Sequence, residues 1–149
     1  MKCICMTNIS PKRIFVDTSG WVEFALKKEL HHKEVFDYMA AETKKGSKFF
    51  TSDYVLDETY TRLATNQGFW MAELFRKKLL FSEAKRDVLI LFMDETLFER
   101  AWKVFDKYQE HGLSFTDATI ATLVRDLKIN EILTLDQGFT KVGLVVKPG

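Results

Sequence analysis

The sequence predicts an α/β domain: a mainly parallel sheet of about five strands with helices on both faces. Three observations carry that expectation. Short apolar runs rich in β-branched and aromatic residues alternate with longer segments of helical spacing, the pattern of strand–helix–strand units. The chain has 149 residues, a length that suits one hydrophobic core. Hydrophobic residues at 46% and charged residues at 29% fit a packed domain and exclude a disordered chain, a collagen or a coiled coil.

The first strand is expected over Arg13–Asp17, where Ile14-Phe15-Val16 forms an apolar run short enough for a buried strand. Helical spacing follows over Trp21–Lys28 and His32–Lys45. A second strand, Lys48–Thr51, leads to helical segments Tyr54–Asn66 and Phe69–Arg86. The third strand, Asp87–Phe92, precedes helices over Glu95–Glu110 and Asp117–Lys128, and strands Glu131–Leu135 and Leu144–Lys147 complete the set. The two prolines, Pro11 and Pro148, bracket this fold. We therefore expect a leading segment, residues 1–12, and one domain over residues 13–149.

Lys plus Arg number 22 against 21 Asp plus Glu, a formal charge of +1, so a nucleic acid would have to meet a local basic patch. Cys3 and Cys5 are too close for an ordinary disulfide and too few for a zinc site, which points to a reducing compartment. Met1–Lys12 lacks the apolar stretch of a signal peptide, and no segment reaches the roughly 18 apolar residues of a membrane span. A cytoplasmic protein is expected.

In parallel sheets, ligands bind beyond the carboxyl ends of the strands, so chemistry is sought just after each run. Asp17-Thr18-Ser19 follows the first strand; Asp17 reads either as a metal ligand or as a helix N-cap. Asp117 heads the apolar row Ile120, Ala121 and Val124. It reads as a buried carboxylate needing a cation, hydrogen bonds or a proton, and equally as the reach-back partner of a Ser114 capping box. Its two oxygens allow both. Asp136 ends the strand Ile132-Leu133-Thr134-Leu135, or forms a turn before Gly138. Glu58 projects away from the stripe Leu56, Thr59, Tyr60 and Leu63, which favours a solvated pair with Arg62. Carboxylates gathered at one sheet edge repel one another; they raise their pKa values or recruit a hard divalent cation such as Mg²⁺ or Mn²⁺. Such a site suits phosphodiester chemistry.

Ile14-Phe15-Val16-Asp17-Thr18-Ser19, Thr51-Ser52-Asp53-Tyr54-Val55-Leu56-Asp57-Glu58, Leu113-Ser114-Phe115-Thr116-Asp117-Ala118 and Leu133-Thr134-Leu135-Asp136-Gln137-Gly138-Phe139 together resemble a PIN domain. The likeness runs from about Arg13 to Lys147 with the motifs in family order. It implies a metal-dependent endoribonuclease in the size class of VapC-type toxins of toxin–antitoxin pairs. Carried over, Asp17, Glu58, Asp117 and Asp136 are the acidic quartet. Asp17 and Asp117 are the most direct Mg²⁺ or Mn²⁺ ligands, and Thr18 and Thr116 are the polar helpers. The resemblance overrides the helix-face reading of Glu58, with Asp57 as its neighbour one residue off the family spacing. The implied reaction is hydrolysis of an RNA phosphodiester by a metal-activated water, without a side-chain nucleophile. His31, His32 and His111 lie outside the matched segments and read as surface residues.

Lys27-Lys28, Lys33, Lys44-Lys45-Lys48, Arg76-Lys77-Lys78 and Lys85-Arg86 are candidate RNA contacts, or simply solvated helix faces. Gly68–Phe75 and Leu79-Leu80-Phe81 hold more apolar surface than one helical stripe needs. They suit a helical hairpin core, a homodimer face or a groove for an antitoxin helix. A catalytically weak RNA-binding or assembly module and a non-toxin RNA-processing nuclease are the alternative functions. A phosphoryl-transfer enzyme fits less well, since Ser19 stands where a haloacid-dehalogenase-type phosphatase needs its second Asp.

Overall fold

In a computed structural model that describes residues 10–149, five parallel strands form one sheet in the order β3-β2-β1-β4-β5. The strands are β1 (Arg13–Val16), β2 (Lys48–Ser52), β3 (Val88–Leu91), β4 (Glu131–Leu133) and β5 (Val146–Lys147). Cys3 and Cys5 lie outside the described residues. The helices are α1 (Thr18–Ala25), α2 (His32–Lys44), α3 (Asp53–Gln67), α4 (Phe69–Ala84), α5 (Glu95–Lys107) and α6 (Phe115–Asp126). Two 3-10 helices, Gln109–His111 and Gln137–Val142, precede α6 and β5.

The central strand explains the layering. Ile14, Phe15 and Val16 are all fully buried, and successive strand residues face opposite sides, so both faces of the sheet are covered. β1 pairs with β2 at Ile14↔Phe49 and with β4 at Ile14↔Glu131. The chain steps outward from β1 to β3, then returns to the other side of β1 for β4 and β5. The reversal falls between β1 and β4, which makes their carboxyl ends the expected crevice.

Element identities match the sequence expectation, and the shifted boundaries have local causes. α1 begins at Thr18, three residues before the expected start, because the Asp17 side chain caps it. α6 begins at Phe115 because Ser114 is its N-cap. α4 stops at Ala84 where Arg86 takes φ 62° and turns the chain into β3. β4 ends at Leu133, two residues early, since Leu135 and Asp136 donate their amides to the hydroxyls of Ser19 and Thr134 instead of continuing the strand.

At the opposite edge of the sheet, Glu42 and Glu131 are buried. Lys12 Nζ lies 3.3 Å from Glu131 and 3.9 Å from Glu42, and Lys45 Nζ lies 3.1 Å from Glu42. Tyr38 also donates its hydroxyl to Glu131. Buried acids there have cationic partners.

Candidate active site

Asp17 emerges from β1 with only 9% of its surface exposed. The Thr18 amide donates to its Oδ1 at 2.7 Å and the Thr134 hydroxyl to its Oδ2 at 3.0 Å. Both donors are neutral, and among the described residues no Lys or Arg makes an ion pair with Asp17, Asp117 or Asp136. Burial, reinforced by repulsion from Asp117 and Glu58, pushes the Asp17 carboxyl up to about 6 despite those two hydrogen bonds. Asp17 is thus at once the cap of α1 and an uncompensated buried acid.

Asp117 shows the same double use. Its amide donates to Ser114 Oγ and its Oδ2 accepts from the Ser114 amide, each at 3.0 Å, which closes the capping box. Burial raises its pKa, aided by repulsion from Asp136 and Glu58 and opposed by the Ser114 bonds. Asp136 sits at the start of the second 3-10 helix, where its Oδ1 accepts from the Gly138 amide at 2.8 Å. A Cβ at Gly138 would meet that oxygen at 2.9 Å, so a larger residue there would displace the Asp136 carboxylate.

Glu58 is exposed on α3 and lies 3.6 Å from Arg62 Nε, as helical spacing predicts. Its other oxygen accepts from the Thr18 hydroxyl at 3.2 Å, and its charge reaches both Asp17 and Asp117. The carboxylate on this side of the cluster is therefore Glu58 rather than Asp57. Thr18 connects β1 to α3. Thr116 stands beside Asp117 in the first turn of α6 and accepts the Thr119 hydroxyl through its carbonyl.

The PIN domain family profile matches residues 14–144, from β1 to the residues just before β5. The chain belongs to the PIN domain family. It is 28% identical over 128 residues to a VapC ribonuclease of Archaeoglobus fulgidus, covering 84% of this chain and 78% of that protein. The crystal structure of Mycobacterium tuberculosis VapC20, a sarcin-ricin loop cleaving toxin, superposes with a TM-score of 0.77 at 28% identity, covering 89% of this chain and 96% of that one. VapBC2 from Rickettsia felis, solved bound to a DNA fragment from its promoter, shares the fold. Its TM-score is 0.68 at 14% identity, over 91% of this chain and 97% of that one.

One hydroxyl of this PIN domain went unread in the sequence. Thr134, fully buried, donates to Asp17, accepts the Asp136 amide and lies 3.0 Å from Ser19 Oγ. It joins the ends of β1 and β4. One histidine departs from the surface reading: His32 is partly buried, with Nδ1 2.7 Å from the Glu23 carbonyl. His111, although exposed, lines a cavity of about 440 Å³ together with Asp117 and Asp136.

A second concavity, of about 1460 Å³, lies between α1, α2 and α4. Trp21, Phe24, Phe75 and Leu79 contribute apolar walls, and Lys27, Lys28, Lys44, Lys77, Lys78 and Lys85 line it as well. Four separate basic clusters of the sequence thus meet at one groove. Ala72, Phe75 and Leu79 form the buried stripe of α4, while Phe69, Trp70 and Phe81 remain exposed.

The donor chemistry of the acidic cluster fits a hard divalent cation, because its side chains offer carboxylate oxygen only. Glu42 and Glu131 have lysines, whereas Asp17 has only neutral donors, and a cation would relieve the cost of ionising it. Among the described residues no three acidic, His or Cys side chains lie close enough to hold one ion as they stand. Exposed Glu58 and Asp136 are the members with freedom to reorient.

Proposed function

We propose that this PIN domain is a divalent-metal-dependent endoribonuclease acting as the toxin of a toxin–antitoxin pair. The observation that carries the reading is Asp17: a buried carboxylate without a cation, held at the sheet reversal among three further acids. The 28% identity to a VapC ribonuclease and to VapC20 supports RNA as substrate. Asp17 and Asp117 would hold Mg²⁺ or Mn²⁺, with Asp136 and Glu58 completing the set. The ion, when bound, supplies water activation and charge neutralisation at phosphorus.

The chain's own residues fix the donors. The Thr18 amide and Thr134 hydroxyl hold the two oxygens of Asp17, and the Ser114 amide pins Oδ2 of Asp117. Gly138 pins Oδ1 of Asp136, and the Thr18 hydroxyl draws Glu58 toward Asp17. Such preset orientation is what ligand and water positioning requires. Thr116, adjacent to Asp117, is assigned a water-orienting role.

The test is cleavage of an end-labelled single-stranded RNA with Mg²⁺ or Mn²⁺, with EDTA, and with Asp117→Asn protein that melts as a folded domain. Cutting that requires both the metal and Asp117 is expected. RNA binding without metal-dependent cutting by folded protein would favour the binding-module reading instead.

For the partner, the lysine-lined apolar groove fits an amphipathic, acidic antitoxin helix. Gln67, which also lines it, has a buried side-chain N–H without a hydrogen-bond partner among the described residues. VapBC2 of Rickettsia felis is a complex of the same fold. Expression should arrest growth, and a co-encoded small protein should relieve the arrest; growth unaffected by an active enzyme would favour RNA processing. Self-association into a homodimer, located in the cytoplasm, completes the proposal, with sedimentation at twice the chain mass as its check.

A further inference from the structure

The 440 Å³ cavity extends beyond the acids, and two segments line it, each with one acid and one base: His111 and Asp117 from the first 3-10 helix and α6, Asp136 and Lys141 from the second 3-10 helix and its cap. Neither His111 nor Lys141 makes a side-chain hydrogen bond or ion pair among the described residues, so their donors are free. The cavity is a built feature. Arg125 on α6 donates to the Val142 carbonyl at 3.0 Å and lies 3.4 Å from the Tyr108 hydroxyl. It thereby ties the second 3-10 helix to the residue that opens the first, and the Tyr108 ring in turn lies against His111 with centroids 5.9 Å apart.

We propose that this cavity is the subsite for the ribose-phosphate unit adjoining the cleaved phosphodiester, with Lys141 and His111 donating to its phosphate. The assignment rests on the ribonuclease reading and extends it to a substrate position. The volume falls at the size of a small-ligand site, roughly 300–1,000 Å³. The free donors direct the occupant: the acids repel phosphate and receive cations, so an RNA phosphate entering here pairs with Lys141 and His111. The lining also decides what is read. Phe139 is 1% exposed and Leu113 is 7% exposed, so neither offers a face for an unpaired base to stack on, and the one exposed ring, His111, is assigned to the phosphate. The subsite binds backbone and contributes affinity without base preference.

The experiment compares full-length protein with Lys141→Ala, His111→Gln and the double variant. Both positions are exposed, and melting curves verify folding. On a single-stranded RNA cut at one position, KM should rise about 3- to 10-fold for each single change while kcat stays within about twofold, as loss of uniform binding requires. The slope of log(kcat/KM) against log salt should flatten by about 0.7 for each phosphate contact removed. The cleavage position in a mixed-sequence RNA should stay the same. Unchanged KM and salt slope in an enzyme that cuts would overturn the subsite, as would a fall in kcat alone or a shifted cleavage sequence.

A second readout is independent of cutting: titration of nucleoside 3′-monophosphates and of inorganic phosphate in EDTA, followed through the His111 ring protons by NMR, with His111→Gln assigning the signal. Nucleotides should move the signal more than phosphate does, and Lys141→Ala should weaken the effect. If the wild type cuts no RNA, the nuclease reading fails by itself. This titration then decides the subsite, which falls if no nucleotide moves the His111 signal.

Discussion

At the residue scale, the unusual member is Asp17, which is held charged at neutral pH against burial and against two neighbouring acids. Its folded pKa, about 6, lies above the ordinary carboxylate value. The native state therefore binds the extra proton between about pH 4 and pH 6, and metal-free stability falls as pH rises through that window. Above it the loss is complete, on the order of 3 kcal/mol. Asp17→Asn should accordingly raise the melting temperature of metal-free protein at pH 7 by roughly 6–12 °C while abolishing RNA cutting. Mn²⁺ should stabilise the wild type and leave this variant unmoved. A lower melting temperature for Asp17→Asn would show that the Thr134 hydrogen bond, rather than the charge, dominates, since Asn keeps an oxygen to cap α1. Asp17 and Asp136 were legible because each directly follows an apolar strand run. Thr134 was not, since nothing in Leu133-Thr134-Leu135 says that a fully buried hydroxyl will face a residue 117 positions away. Glu58 was read correctly as exposed and paired with Arg62. Helical spacing could not show that its second oxygen meets Thr18 across α1 and α3.

At the scale of elements, two contacts set the position of the acids. Gly20 sits on the inner face of α1, and a Cβ there would stand 2.6 Å from the Leu133 carbonyl and 3.1 Å from Val16 Cγ1. The close approach lets Ser19 reach Thr134 and Leu135. Gly20→Ala, ordinarily favourable in a helix, should here destabilise by about 1–3 kcal/mol through overpacking and reduce cutting by displacing the Asp17–Thr134 pair; urea unfolding and RNA cleavage measure the two effects. The second contact is the Ser114 cap. Ser114→Ala should cost about 1 kcal/mol by denaturant titration while leaving activity within about threefold, because it removes only the Oγ that accepts the Asp117 amide and keeps the Ser114 amide that holds Asp117 Oδ2. Strand–helix alternation was readable throughout, and the displaced boundaries fall where side chains intervene: Asp17 and Ser114 extend helices backward, and Thr134 and Ser19 end β4 early. Both 3-10 helices escaped notice because segments this short have no hydrophobic period to read.

For the molecule as a whole, the distribution of charge matters more than its sum. A formal charge of +1 conceals an acidic cleft at the β1–β4 reversal, a lysine-lined groove over β2 and β3, and the mixed cavity beside α6. Linear sequence could not select among its basic clusters, because Lys27, Lys44, Lys77 and Lys85 meet only after α1, α2 and α4 pack. Lys77→Glu with Lys78→Glu should weaken antitoxin capture at least tenfold by calorimetry while leaving metal-dependent cutting of short RNA within about twofold. Equal loss of both would place RNA in that groove.

The pairing of β1 with β4 also governs timing. Asp17 is made early, yet the strand beside it and the Thr134 hydroxyl that orients it come from the last fifth of the chain. Parallel pairing over such a separation waits until the distant segment is available. A partly synthesised chain that stops short of β4 therefore holds three of the five strands, with Asp17 exposed to solvent where β4 and Thr134 will later cover it.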